Sequence, residues 1–278
     1  MTNADVGAVT QHYAASGIAD RVLSALRAAS GPDAPVTPDT LAPLDHFHGR
    51  GLVATKELVH LLKPEAGELL LDIGCGIGGP ARWIASHHGC HVTGIDLTPD
   101  FCTAADALTL ACGMAENVCF VVGSATELPF AEAAFDRVYS QNVIMNIADK
   151  ARFYVEARRV VKPGGLLAFS NIGLGATGSP HYPVPWATSA ATSFLSTPAE
   201  TREQMRAAGL EIVTFRDTTD ALRAGLIAYG EKVAREGLPK LGPHAFMGAR
   251  MAEFQANSTR NLIEGRTCLL EALARRPG

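Results

Sequence analysis

Asp72, Gly74, Gly76, Gly78, Gly79 and Asp96 are the residues of this chain whose types and spacing can do chemistry together. Gly74-x-Gly76-x-x-Gly79 has the spacing of a loop that holds a dinucleotide, with Asp96 further on, where a carboxylate meets ribose. The glycines let the main chain turn sharply and approach a ligand closely. The helix start that follows offers free N–H groups and a positive dipole end. Asp72, however, lies two residues before the first glycine, where its negative charge repels a pyrophosphate. A ligand carrying an ammonium and a sulfonium suits it better, so the charge favours a cationic nucleoside over an anionic dinucleotide.

Such a loop needs a strand before it and a helix after it. Leu69 to Ile73 is an apolar run of strand type, and Ala81-Arg82-Trp83-Ile84-Ala85 continues as helix. Alternation then places strands at 91–96, 118–122, 135–140, 166–171 and 210–215, with helices at 79–88, 99–113, 149–161, 197–208, 219–236 and 245–264. Lys162-Pro163-Gly164-Gly165 reads as a tight turn into the fifth strand, and 266–273 as a terminal strand. Upstream, 1–30 is amphipathic helix broken near Gly17, 31–38 is loop, and 52–62 is helix. Residues 172–196 lack periodicity and follow a strand's carboxyl end, which is where a functional lid is expected. Regular strand–helix alternation predicts an α/β, doubly wound, Rossmann-like sheet.

Composition narrows the function. The chain has 278 residues, 47% hydrophobic, enough for one large globular domain. A net charge of −4 with no basic run argues against nucleic-acid or anionic-membrane partners. No signal peptide or bilayer-length apolar segment is visible. Six cysteines without a CxxC pair suit a reduced, cytoplasmic protein. His87-His88-Gly89-Cys90-His91 falls at a turn with no second ligand pair, so no metal is expected.

Leu71-Asp72-Ile73-Gly74-Cys75-Gly76-Ile77-Gly78-Gly79 resembles the first motif of class I S-adenosylmethionine-dependent methyltransferases. Asp96-Leu97, the stretch 123–130 and Lys162-Pro163-Gly164-Gly165 follow in that family's order. The resemblance implies a seven-stranded sheet of order 3-2-1-4-5-7-6 with the last strand antiparallel. Phe47-His48-Gly49-Arg50-Gly51 together with Gly76-Ile77-Gly78-Gly79-Pro80 is similar to the sarcosine/dimethylglycine N-methyltransferase-like small-molecule enzymes. Those typically show two glycines where this chain has Arg50-Gly51, and an acidic residue where it has Ser124.

Carried over, the resemblance implies S-adenosyl-L-methionine as cofactor. Asp72 orders the loop and faces the methionine ammonium, while Gly74, Cys75, Gly76 and Gly78 admit the ligand. Asp96 accepts the ribose hydroxyls, Leu97 packs on adenine, and Ser124, Ala125 and Thr126 border its polar edge. Gln141 and Asn142 touch the methionine end, and Tyr13, Phe47 and His48 close over the site. His48 is the candidate general base. Met145, Asn146, Asn171, His181, Tyr182, Trp186 and Phe194 are the candidate acceptor contacts.

The expected function is methyl transfer to N, O or C of a small molecule by a monomer or homodimer. The alternatives are an NAD-dependent oxidoreductase and a non-catalytic S-adenosylmethionine-binding regulatory protein. The expected organisation is a helical cap over 1–55, a binding core over 56–216 with its lid at 172–196, a helical substrate cap over 217–264, and a terminal strand over 265–278.

Overall fold

A computed structural model describes residues 17–46, 48–242 and 250–278. Helices α1 (Ile18–Ser30), α2 (Pro38–Asp45) and α3 (Leu52–Leu62) precede the sheet. Then come β1 (Leu69–Ile73), α4 (Gly79–His88), β2 (His91–Asp96), α5 (Pro99–Ala111), β3 (Val118–Val122), β4 (Phe135–Gln141) and α6 (Lys150–Val160). The rest is β5 (Val161–Leu174), α7 (Pro198–Ala207), β6 (Glu211–Asp217), α8 (Thr219–Glu236), α9 (Arg250–Ile263) and β7 (Thr267–Arg275).

The seven strands form one sheet of order β3-β2-β1-β4-β5-β7-β6, as expected. β7 runs antiparallel to both neighbours, and the other pairs are parallel. β1 sits centrally and shows why strand period matters. Leu70 packs with α3 and α4 on one face, whereas Leu71 and Ile73 pack with α6 on the other. Asp72 points to the α3 side of that alternation, level with Tyr139 of β4, which lies in the same cluster as Leu58 and Ile84. A third cluster joins Val22 and Leu26 of α1 and Leu41 and Leu44 of α2 to Ile77 of the glycine loop. The segment before the sheet is thereby seated on the loop.

Local chemistry explains the boundaries. Thr197 and Glu200 form the capping box the sequence shows before α7. Thr37 and Thr40 form a second one that starts α2, a helix inside a stretch expected to be partly loop, because Pro43 obscured it. The expected turn at 162–165 is drawn into an extended β5, with Gly164 at φ 77 and a register shift between Phe135 and Arg137. β5 also runs past Asn171 to Leu174, because β7 pairs with it through Thr267. A strand's end is set by its partner, which local pattern does not reveal.

Candidate methyltransferase site

The glycine loop is held from below. Gly74 and Cys75 donate their N–H groups to the Ile95 carbonyl at 2.7 and 3.1 Å, and Gly78 donates to the Cys75 carbonyl at 2.9 Å. Gly74, Gly76 and Gly78 have φ of 81, 53 and 78°, the left-handed region that favours glycine. A Cβ on Gly74 would lie 2.2 Å from the Val143 side chain, and one on Gly78 would lie 2.4 Å from Phe120.

Asp96 ties β2 to this loop. Its Oδ2 accepts from Gly76 N at 2.9 Å and its Oδ1 from Thr98 N at 2.9 Å, while burial raises its pKa. Each carboxylate oxygen retains a second lone pair for a ribose hydroxyl. Asp72 is buried in β1, and its Oδ2 has no hydrogen-bond partner. Burial pushes its pKa up to about 8, with Asp96 adding to the rise. An orphaned buried carboxylate awaits a cation, and an ammonium fits that need where a phosphate does not.

At the adenine end expected from the sequence, half-buried Leu97 follows Asp96. The Ser124 hydroxyl lies 2.9 Å from Thr126 Oγ1 and accepts from Thr126 N at 3.2 Å. Ala125 packs against the α6-side core. Beyond β4, Gln141 Oε1 accepts from Thr55 Oγ1 at 3.2 Å, and its Nε2 is buried without a partner. Asn142 adopts φ 54° and donates its N–H to the Ser170 carbonyl at 2.8 Å. Tyr13 and Phe47 lie outside the described residues.

His48 has Nε2 3.4 Å from Thr55 Oγ1, linking it to Gln141 through one hydroxyl. Desolvation, reinforced by nearby His46, pushes its pKa down to about 3. The ring is neutral near pH 7 and is a weak base in this setting.

The residues expected to meet the acceptor form a second group. Met145, Val184, Trp186 and Ala187 make a buried cluster with Tyr182 against it. Asn146 Nδ2 donates to the carbonyls of Trp186 and Thr192 at 2.8 and 3.0 Å, and Trp186 Nε1 donates to Ser193 Oγ at 3.0 Å. Asn171 Oδ1 accepts from Met145 N at 3.1 Å, and Phe194 N donates to the Met145 carbonyl at 2.7 Å. His181 stands apart from that cluster. Its Nε2 lies 2.8 Å from Glu264 Oε2, and its main chain exchanges two bonds with the Asn261 side chain.

Sequence reasoning did not single out Asp45 and Arg82. Asp45 Oδ2 accepts from Arg82 Nη2 at 2.9 Å, and that same nitrogen donates to the Ile77 carbonyl of the glycine loop at 2.8 Å. The signal was present: an arginine embedded in the apolar run Ala81-Arg82-Trp83-Ile84-Ala85 requires a buried partner. Arg50, which replaces a family glycine, binds Glu57 and reaches buried Glu271 of β7 at 3.4 Å.

Residues 71–169 match a family model described as a methyltransferase domain. This stretch is a methyltransferase domain. An O-methyltransferase, resE, from Aspergillus sclerotiorum is 32% identical over 61% of this chain and 64% of its own length. A glycine/sarcosine/dimethylglycine N-methyltransferase from Actinopolyspora halophila is 30% identical over 55% of this chain and 27% of its own. The chain covers less than two thirds of these curated relatives. A geranyl diphosphate C-methyltransferase structure from Streptomyces coelicolor A3(2) superposes with a TM-score of 0.72 at 17% identity, covering 99% of this chain and 98% of that one. That likeness extends the shared fold of the methyltransferase domain to nearly the whole length.

Proposed function

We propose that the protein is an S-adenosyl-L-methionine-dependent methyltransferase acting on N, O or C of a small molecule. The observation that carries this reading is Asp72, a buried carboxylate with an unpartnered oxygen beneath a left-handed glycine loop, inside a methyltransferase domain. It suits an ammonium-bearing nucleoside and opposes the pyrophosphate that an NAD-dependent oxidoreductase would place there. When bound, the cofactor supplies a sulfonium-activated methyl group for in-line displacement.

In this reading Asp72 faces the ammonium, Gly74, Cys75, Gly76 and Gly78 carry the backbone alongside it, and Asp96 accepts the ribose. Leu97, Ser124, Ala125 and Thr126 border adenine, Gln141 and Asn142 meet the methionine end, and Tyr13, Phe47 and His48 cover it. Met145, Asn146, Asn171, His181, Tyr182, Trp186 and Phe194 shape the acceptor side. Aligning an acceptor lone pair is a large part of the catalytic task. The depressed basicity of His48 favours an acceptor that reaches the site already deprotonated, such as a neutral amine.

Residues 1–55 serve as the cover, 56–216 as the binding core with its lid at 172–196, 217–264 as the acceptor cap and 265–278 as the closing strand. We place the protein in the cytoplasm as a monomer or homodimer, without nucleic-acid or membrane partners. All six cysteines are free, which suits that compartment. Among the described residues, no helix is long and apolar enough to cross a membrane.

The test is incubation with methyl-labelled cofactor and a metabolite extract, read by mass spectrometry. A small metabolite that gains one methyl group is expected. Tight cofactor binding with no labelled product from any extract would instead favour the regulatory reading.

A further inference from the structure

His46 is the one histidine of the segment leading to the glycine loop that is both buried and oriented by a carboxylate. It is 3% exposed, and its Nδ1 lies 2.9 Å from Asp45 Oδ1. Asp45, with its pKa lowered, is bound on its other oxygen by Arg82. Nδ1–H therefore donates to Asp45, and the opposite ring nitrogen, Nε2, is buried with no partner.

Contacts fix where this nitrogen sits in the fold. On one side, Asp45 and Arg82 lead to the Ile77 carbonyl of the glycine loop. On the other, the His46 ring meets His48 edge-on at 5.9 Å, and His48 leads through Thr55 to Gln141 at the end of β4. His46 thus lies between the β1 loop and the end of β4. Two further orphaned atoms belong to this end of the sheet: Asp72 Oδ2, an acceptor while ionised, and Gln141 Nε2, a donor. Unpartnered buried polar atoms are uncommon and call for an explanation. One acceptor beside two potential donors matches a zwitterion, with its ammonium on the carboxylate and its carboxylate on the donors.

The carboxylate of such a ligand needs positive charge nearby. Arg50 is committed to Glu57 and Glu271, Arg82 to Asp45, and the His48 ring is neutral. His46 is the remaining group at this end, among the described residues, that can present a cation. With both ring nitrogens protonated, it donates to Asp45 through Nδ1 and to the ligand through Nε2. Resting on the cofactor reading above, we infer that His46, positioned by Asp45 and Arg82, receives the α-carboxylate of the cofactor's amino-acid moiety together with Gln141 Nε2. The segment before the sheet is then part of the cofactor's amino-acid clamp as well as its cover.

Calorimetric titration with S-adenosylhomocysteine and with 5′-methylthioadenosine, which lacks the amino-acid moiety, separates this inference from the reading it rests on. In His46→Ala, affinity for S-adenosylhomocysteine is expected to fall tenfold or more, while affinity for methylthioadenosine stays within twofold of the parent. His46→Gln keeps a neutral N–H donor of similar reach and is expected to lose less. Unchanged methylthioadenosine binding also shows that each variant is folded. The inference is overturned if both variants bind S-adenosylhomocysteine within twofold of the parent. Equal weakening of both nucleosides would overturn it too, because that is the mark of a structural role. A parent protein that binds neither nucleoside contradicts the cofactor reading itself.

Discussion

At the β1 and β4 end of the sheet edge, Asp72, Gln141 and His46 each keep a buried polar atom without a partner. Beyond β4 and β5, by contrast, Asn146, Asn171 and Trp186 spend their polar atoms on neighbouring groups, and buried Lys150 donates to the carbonyls of Ile147 and Phe194. Leaving a buried donor or acceptor unmatched costs about 1–3 kcal/mol, so the first end favours a ligand that supplies the missing partners. At the second end the side-chain polarity fixes the course of a long loop, leaving the Ser170 and Thr192 hydroxyls unpartnered. The difference teaches that polar recognition is concentrated on the cofactor. The acceptor is selected mainly by the shape of an apolar surface built on Met145 and Trp186.

The strongest way to break this contrast is Gly74→Ala. Its Cβ meets Val143 at a φ that disfavours any side chain, so S-adenosylhomocysteine binding should be lost and stability should drop by about 2–4 kcal/mol in a denaturant titration. Asp96→Ala comes next. Losing a charged acceptor should weaken cofactor binding by about 1–3 kcal/mol by calorimetry, and unchanged affinity would remove Asp96 from the ribose.

Asp72 gives a test with a sign. Its pKa is raised to about 8, so at pH 7 the carboxyl is mostly protonated, and an arriving ammonium favours the ionised form. Binding should therefore release up to about one proton more from the parent than from Asp72→Asn, read from the buffer dependence of the binding enthalpy. The difference should shrink above pH 8, where Asp72 is already ionised. The smallest effect on the cofactor belongs to the other region. Asn146→Ala leaves the Trp186 and Thr192 carbonyls without their donor, which should cost about 1–2 kcal/mol of stability yet leave S-adenosylhomocysteine affinity within about twofold.

The same contrast marks what could be read from the chain alone. Strand order, the glycine loop and Asp96 were legible because backbone conformation and charge at these positions are consequences of residue type. Glycines at left-handed φ and a carboxylate at a strand end have few other uses. The unexpected use of Asp96 is that it also binds Gly76 N and Thr98 N, a contact between β2 and the β1 loop that spacing does not display.

The Asp45–His46–Arg82 group was less legible, because its members are separated in sequence and meet only when α2 packs on α4. Arg50 illustrates the same limit. As a departure from a glycine pair it carried no meaning until β7 brought Glu271 to within 3.4 Å. The lid was located by its lack of periodicity, but its internal bonding depends on tertiary contacts such as Lys150 with Phe194 and His181 with Glu264.

The central claim is that the Asp72 end of the glycine loop selects an ammonium-bearing nucleoside over a dinucleotide. Side-by-side calorimetric titration of the purified protein with S-adenosylhomocysteine and with NADH tests it most directly. The account predicts saturable binding of S-adenosylhomocysteine and none of NADH. Binding of NADH without S-adenosylhomocysteine would contradict it.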